Sequence, residues 1–167
     1  RTACEEVGIP WGHVSSGCIY SDRKSNGEGW SENDDPNFSF RNGPCSFYSG
    51  TKALGEEVLK DAKNCYIWRL RIPFNEEKSP RNYLQKLLHY SSLLEAENSI
   101  SHIDDYINSC LSSFTQECEP GIYNLTNVGA ITTKQVVKWM KEEGVTDKEF
   151  TFFKNEEDFM AKAAITP

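Results

Sequence analysis

The sequence predicts an α/β fold, a parallel sheet flanked by helices. Three observations predict it. Strand-like apolar runs alternate with amphipathic stretches of helical period along the whole chain, the pattern of parallel βαβ units. The 167 residues are 38% hydrophobic and 12% aromatic, enough for one domain with a real core and not comfortably for two. No internal repeat divides the chain.

Each element has its own signal. Residues 2–7 read as the end of a helix, stopped by Gly8 and Pro10. Residues 11–16 form a short buried strand. Residues 21–44, rich in Ser, Asn, Asp, Gly and Pro, make one long loop, and a loop of that length is usually functional or mobile. Ser46 can cap a helix over 47–62, with Phe47, Thr51, Leu54, Val58 and Ala62 on one apolar face. Residues 65–74 read as one strand stopped by Pro73. A helix follows over 80–90, with Pro80 at its start. Residues 103–115 form an amphipathic helix with Ile103, Ile107, Cys110, Leu111 and Phe114 inward. A third strand spans 121–126, a helix over 132–143 ends at Gly144, a short strand covers 150–153, and a last helix covers 155–163.

Composition narrows the function classes. The net charge is −7 and the pI is near 5.0, with basic residues scattered, which argues against a nucleic-acid partner. No apolar run approaches the ~20 residues of a membrane span. The chain opens on Arg1 without a signal peptide, so a processed chain or part of a longer protein is expected. Cys4, Cys18, Cys45, Cys65, Cys110 and Cys118 form no Cys-x-x-Cys pair, and His13, His89 and His102 lack ligand spacing with them, so no metal site is read. Cys65 lies in an apolar run and Cys110 on an apolar helix face, where a thiol acts as a small hydrophobe. The chain reads as cytoplasmic with reduced thiols, a disulfide framework being the alternative.

Chemistry centres on Tyr48 and Lys52. Four apart on a helix, they share one face. An ammonium beside a phenol favours the phenolate, and such a Tyr can exchange a proton at a carbonyl near neutral pH. The bare spacing is weak, because Tyr20 and Lys24 match it too, in a loop that fixes no geometry. The segment before it strengthens the case. Val14-Ser15-Ser16-Gly17-Cys18-Ile19-Tyr20 ends a strand on a hydroxyl, where α/β folds place ligands.

A strand-end Ser four residues before an aromatic, a long loop, then Tyr-x-x-x-Lys on a helix resembles the extended short-chain dehydrogenase/reductase family. The resemblance implies that Ser16 holds the substrate oxygen. Tyr48 would transfer the proton, and Lys52 would support Tyr48 and hold the nicotinamide ribose. Further motifs occur in family order: Asp35-Pro36-Asn37-Phe38, Ser46-Phe47-Tyr48-Ser49, Arg69-Leu70-Arg71-Ile72-Pro73, Pro80-Arg81-Asn82-Tyr83-Leu84-Gln85-Lys86 and Gly121-Ile122-Tyr123-Asn124-Leu125-Thr126-Asn127. Together they look like the nucleotide-sugar 3,5-epimerase/4-reductases of rhamnose synthesis, over nearly the whole chain.

That likeness implies a second pair, Cys18 and Lys86, as epimerisation acid and base, with Lys78 a competitor for the Lys role. Inverting a carbon beside a ketone needs one group to remove a proton and another to deliver one. The plain alternatives are a small filler after a strand for Cys18 and a solvated helix residue for Lys86. Arg71, Arg81, Asn82 and Asn127 are substrate-binding candidates for a diphosphate or sugar hydroxyls; the alternative for the arginines is an ordinary carboxylate partner. Ile72 and Pro73 would flank the nicotinamide, joining Tyr48 and Lys52 as cofactor-binding residues.

Dinucleotide binding needs a strand, a Gly-rich turn and a helix near the start of the domain. Gly27-x-Gly29 is the only near match, with Glu32 in the third position and no flanking strand or helix. By the resemblance, the chain begins just before the fifth strand of a Rossmann-like sheet and holds part of it. Residues 1–76 would be the catalytic C-terminal half of an NAD(P)-binding domain. Residues 77–167 would be a small, mainly substrate-binding part, with strand 121–126 returning to the sheet. The edge at 11–16 would then be unpaired unless a longer polypeptide or a partner supplies strands, and the 167-residue chain alone should not bind NADPH tightly. NAD(P)H, a nucleotide-sugar substrate and a homodimer through the Tyr/Lys helix are the expected cofactor and partners. The competing readings are a GDP-4-keto-6-deoxymannose epimerase/reductase, a plain 4-reductase, and a non-catalytic binding module.

Overall fold

The computed structural model describes residues 1–155 and 157–159. In chain order the elements are α1 (Thr2–Val7), β1 (Trp11–Ser16), one 3-10 turn (Gly17–Ile19), α2 (Phe47–Leu59), β2 (Cys65–Leu70), β3 (Pro73–Phe74), α3 (Tyr83–His89), β4 (Ser92–Leu94), β5 (Glu97–Asn98), β6 (Ser101–His102), α4 (Ile103–Thr115), β7 (Ile122–Asn124), β8 (Ile131–Thr132), α5 (Thr133–Glu142) and β9 (Thr151–Phe153). They form two compact units, one of Arg1–Arg71 with Asp104–Thr126, the other of Ile72–Ile103 with the residues after Thr126. Among the described residues no helix is long and apolar enough to cross a membrane.

The first unit is built on a parallel sheet in the order β1-β2-β7. Trp11 lies opposite Cys65 and Ser16 opposite Leu70, while Ile67 lies opposite Ile122. Side chains alternate across the pleat. Tyr66 and Trp68 turn to α4, where they form an aromatic core with Tyr106 and Cys110, edged by Phe114 and Tyr123. Ser15 and Arg69 turn the other way and meet Glu56 of α2. Helices thus cover both faces, giving the α/β class that the alternation predicts. Gly12 is required where it stands: a Cβ there would lie 2.0 Å from the Trp68 ring.

The second unit has a separate core of Leu87, Leu93, Val136, Val137 and Met140. Among the described residues it holds three two-stranded pairs: β3 with β6 and β4 with β9, both parallel, and β5 with β8, antiparallel. Thr132 caps α5 by accepting from the Gln135 amide, and Gly144 closes it at φ 68, in the left-handed region that glycine tolerates.

Several expectations are corrected. The apolar face expected of α2 points outward: Phe47 is 79% and Val58 60% exposed, while Ser49, Gly50, Ala53 and Glu56 are buried. Small residues let this helix approach closely, and a Cβ at Gly50 would sit 2.3 Å from the Phe40 ring. On α4 the buried set is Tyr106, Cys110 and Ser113, with Ile107 and Leu111 exposed. The single strand expected over 65–74 is two. It breaks at Ile72, whose φ of 43 ends the extended run, and β3 pairs elsewhere. The helix expected from Pro80 starts at Tyr83, because Asn82 accepts from the Leu84 amide and caps it there. The helix expected over 155–163 lies largely outside the described residues.

The loop over 21–44 has no regular structure but is pinned. The Tyr20 hydroxyl donates to the Asp34 carbonyl at 2.6 Å. The Asn37 side chain both accepts from the Ser21 amide, at 2.9 Å, and donates to its carbonyl, at 3.0 Å. Trp30 stacks on Tyr20 with the ring planes 5° apart.

Candidate active site

Parallel strands gather their carboxyl ends at one edge, where ligands bind in α/β folds. At that edge β1 ends on Ser16, whose Oγ accepts from the Cys18 amide at 3.3 Å. The backbone turns there into the 3-10 segment, so Ser16 and half-buried Cys18 are presented by one short, hydrogen-bonded corner. A capped helix carries the other half. The Ser46 Oγ accepts from the Ser49 amide at 3.0 Å, starting α2 so that Tyr48 stands in its first turn, 57% exposed.

Lys52 ties helix to strand. Its Nζ lies 5.8 Å from the centre of the Tyr48 ring and donates to the Val14 carbonyl at 3.0 Å, two residues before Ser16. One ammonium thus neighbours the phenol and the strand end together.

Arg71 follows β2 at the same edge. Its side chain packs on Gly17, where a Cβ would lie 3.2 Å from Cδ. Burial pushes its guanidinium below the ordinary arginine range, and the nearby Cys18 opposes that shift.

The remaining candidates belong to the second unit. Ile72 precedes Pro73 with φ 43, a strained conformation for a β-branched residue, costing about 1–3 kcal/mol. Asn82 is buried and its amide is used within the chain, donating to the Asn75 and Glu77 carbonyls, both at 2.7 Å. That makes it a positioning residue for the 75–82 segment. The Asn127 Oδ1 accepts from the His102 amide at 2.7 Å, latching β6. Arg81, Lys86 and Lys78 are exposed.

Sequence reasoning missed a buried network behind the strand end. The Glu56 carboxylate accepts from the Arg69 Nη2 at 2.7 Å and Nε at 3.0 Å, and from the Ser15 hydroxyl. The Arg69 Nη1 donates to the Tyr20 hydroxyl at 2.8 Å. Burial opposes the charge on Arg69, but the Glu56 hydrogen bonds and charge outweigh it and hold the guanidinium protonated. The signal was an arginine inside the apolar run Cys65-Tyr66-Ile67-Trp68-Arg69-Leu70, since a buried charge demands a partner. His13, on the same face, has its Nε2 buried without a hydrogen bond among the described residues. Burial first, and Lys52 second, hold this imidazole below its ordinary range.

No protein-family model matches the chain. It is 29% identical, over 98% of its length, to a bifunctional dTDP-4-dehydrorhamnose 3,5-epimerase/dTDP-4-dehydrorhamnose reductase of Arabidopsis thaliana, covering 54% of that protein. It is 30% identical, again over 98%, to a trifunctional UDP-glucose 4,6-dehydratase/UDP-4-keto-6-deoxy-D-glucose 3,5-epimerase/UDP-4-keto-L-rhamnose-reductase of the same plant, covering 24% of it. The chain therefore spans about half or less of the curated relatives it matches. In fold it is similar to the L780 UDP-rhamnose synthase of Acanthamoeba polyphaga mimivirus, with a TM-score of 0.83 and 22% identity over 96% of this chain and 55% of that one. A dTDP-4-dehydrorhamnose reductase from Bacillus anthracis, solved in complex with NADP, gives a TM-score of 0.71 and 17% identity over 92% of this chain and 54% of that one. The chain resembles the epimerase/reductase enzymes of rhamnose synthesis along nearly all of its length.

Proposed function

We propose that this chain is the catalytic and substrate-binding part of an NAD(P)-dependent nucleotide-sugar 3,5-epimerase/4-reductase acting on a 4-keto-6-deoxy sugar nucleotide. The observation that carries the proposal is Lys52, which neighbours the Tyr48 ring and holds the strand end before Ser16.

Tyr48 is exposed, as a residue that meets substrate must be, and its hydroxyl would give its proton to the C4 oxygen as reduction proceeds. Ser16 would hydrogen-bond that oxygen and stabilise the charge that develops on it. The residues present fit the nicotinamide ribose of a dinucleotide, and the Gly-rich turn that would hold its diphosphate is not among them. Lys52 carries three N–H donors and uses one on Val14, so a ribose diol can take others. Tyr48, Ile72 and Pro73 would complete that contact. When bound, the dinucleotide supplies the hydride for C4.

Epimerisation uses the same ketone. A C–H beside it is acidic because the enolate places charge on the C4 oxygen, where Ser16 and Tyr48 act. Cys18, two residues beyond Ser16, is proposed for one proton role at C3 and C5, and Lys86 for the other. Arg71 and Arg81 are proposed for the diphosphate, which suits a guanidinium fork, and Asn127 for a sugar hydroxyl. The apolar stripe on α2 is proposed to pair with a second copy. The setting proposed is the cytosol.

The test is product analysis with the full-length protein, NADPH and UDP-, dTDP- and GDP-linked 4-keto-6-deoxy sugars. A rhamnose nucleotide is the expected product. A C4-reduced sugar with C3 and C5 unchanged would reduce the protein to a plain 4-reductase, and no turnover of any substrate would remove the proposal.

A further inference from the structure

We infer that the buried Arg69–Glu56 pair is a positioning device for the corner that carries Ser16 and Cys18. The inference rests on the proposed epimerase/reductase reading for its catalytic consequence, though its geometry stands alone.

Four separate segments meet on this pair. Glu56 belongs to α2, one turn beyond Lys52, and Arg69 to β2. The Glu56 carboxylate also holds the hydroxyl of Ser15, the residue before Ser16. The third arm runs through Arg69. Its Nη1 donates at 2.8 Å to the Tyr20 hydroxyl, and the guanidinium carbon lies 5.3 Å from the Tyr20 ring centre. That hydroxyl in turn donates to the Asp34 carbonyl, and the ring stacks on Trp30. The Tyr20 amide closes the 3-10 turn on the Gly17 carbonyl at 3.2 Å. The chain from Ser15 to Tyr20 is therefore clamped at both ends by one ion pair, with Ser16 and Cys18 between the clamps.

Stability does not account for this arrangement. Arg69 is 2% and Glu56 6% exposed, and burying two charges costs so much desolvation that an apolar pair of like volume is often as stable. What an apolar pair lacks is direction. A guanidinium offers five donors in a rigid plane. Here two sides of that plane are used, one for the carboxylate and one for Tyr20. Helix, strand end and loop are thereby held in a fixed relation. Catalytic groups must be held this closely, because misplacement by about 1 Å costs up to roughly a hundredfold in rate.

The test is Tyr20→Phe in the full-length protein. It removes the hydroxyl and keeps the ring on Trp30. Backbone amide hydrogen exchange over residues 17–21 is expected to accelerate about tenfold, with the amides of 65–70 unchanged. For turnover, kcat for deuterium incorporation at C3 and C5 from D2O is expected to fall roughly ten- to a hundredfold with KM within about twofold. Ser15→Ala is expected to accelerate exchange at residue 16 in the same local way. Unchanged exchange over 17–21, or equal acceleration throughout the first unit, overturns the inference. A wild-type protein without epimerase activity removes the proposed function instead, and the exchange data still decide the clamp.

Discussion

Lys52 and Asp34 show how single charges place the site. Lys52 joins the Tyr48 ring to the Val14 carbonyl. Replacing it with Met should keep α2 and lower kcat of C4 reduction by roughly 10²–10⁴, the worth of a supported proton transfer; steady-state NADPH oxidation checks this. Asp34 pins the loop through Lys24 at 2.6 Å and through the Ser31 hydroxyl and amide, and these bonds, in that order, hold its carboxyl at about 2 against an ordinary 3.8. A carboxyl depressed on folding stabilises above its unfolded value and loses that contribution as pH falls. Loop ordering, read by Trp30 fluorescence, should therefore be full above pH about 4 and fade towards about 2, and Asp34→Asn should remove that step. The Tyr48/Lys52 spacing is legible because residues four apart on one helix share a face. The Glu56–Arg69 pair is not, because its partners stand on different elements and only the fold brings them together.

Elements were legible where capping and breaking residues act locally. Ser46, Thr132 and Gly144 mark helix ends as their chemistry requires. Faces were less so. On α2 the packing is done by Ser49, Gly50 and Ala53, so hydrophobic periodicity points away from the sheet. Phe47, Leu54 and Val58 thus remain as an exposed apolar stripe, which we expect to pair with a second copy. Sedimentation of the full-length protein should give a dimer, and Val58→Glu should give a monomer; a wild-type monomer contradicts the pairing. The break between β2 and β3 was hidden because Pro73 signals only that extension stops nearby, not that Ile72 turns to positive φ. In β1, Gly12→Ala should destabilise the full-length protein by about 1–3 kcal/mol in urea unfolding, since the new methyl meets the buried Trp68 ring.

At the scale of the whole molecule, the parallel sheet with helices on both faces follows from the alternation of patterns, and the sheet edge at Ser16 and Arg71 follows from the parallel order. In the structure α4 and β7 return to the first unit after a long excursion through the second. The proposed chemistry divides its labour around one sugar ketone, with Tyr48 serving reduction and Cys18 serving inversion. The most direct measurement compares Tyr48→Phe and Cys18→Ser in the full-length protein, with NADPH oxidation and C3/C5 deuterium incorporation read separately. Tyr48→Phe is expected to stop NADPH oxidation, and Cys18→Ser to stop deuterium incorporation yet still reduce a substrate already inverted at C3 and C5. Equal loss in both assays for both variants would contradict that division.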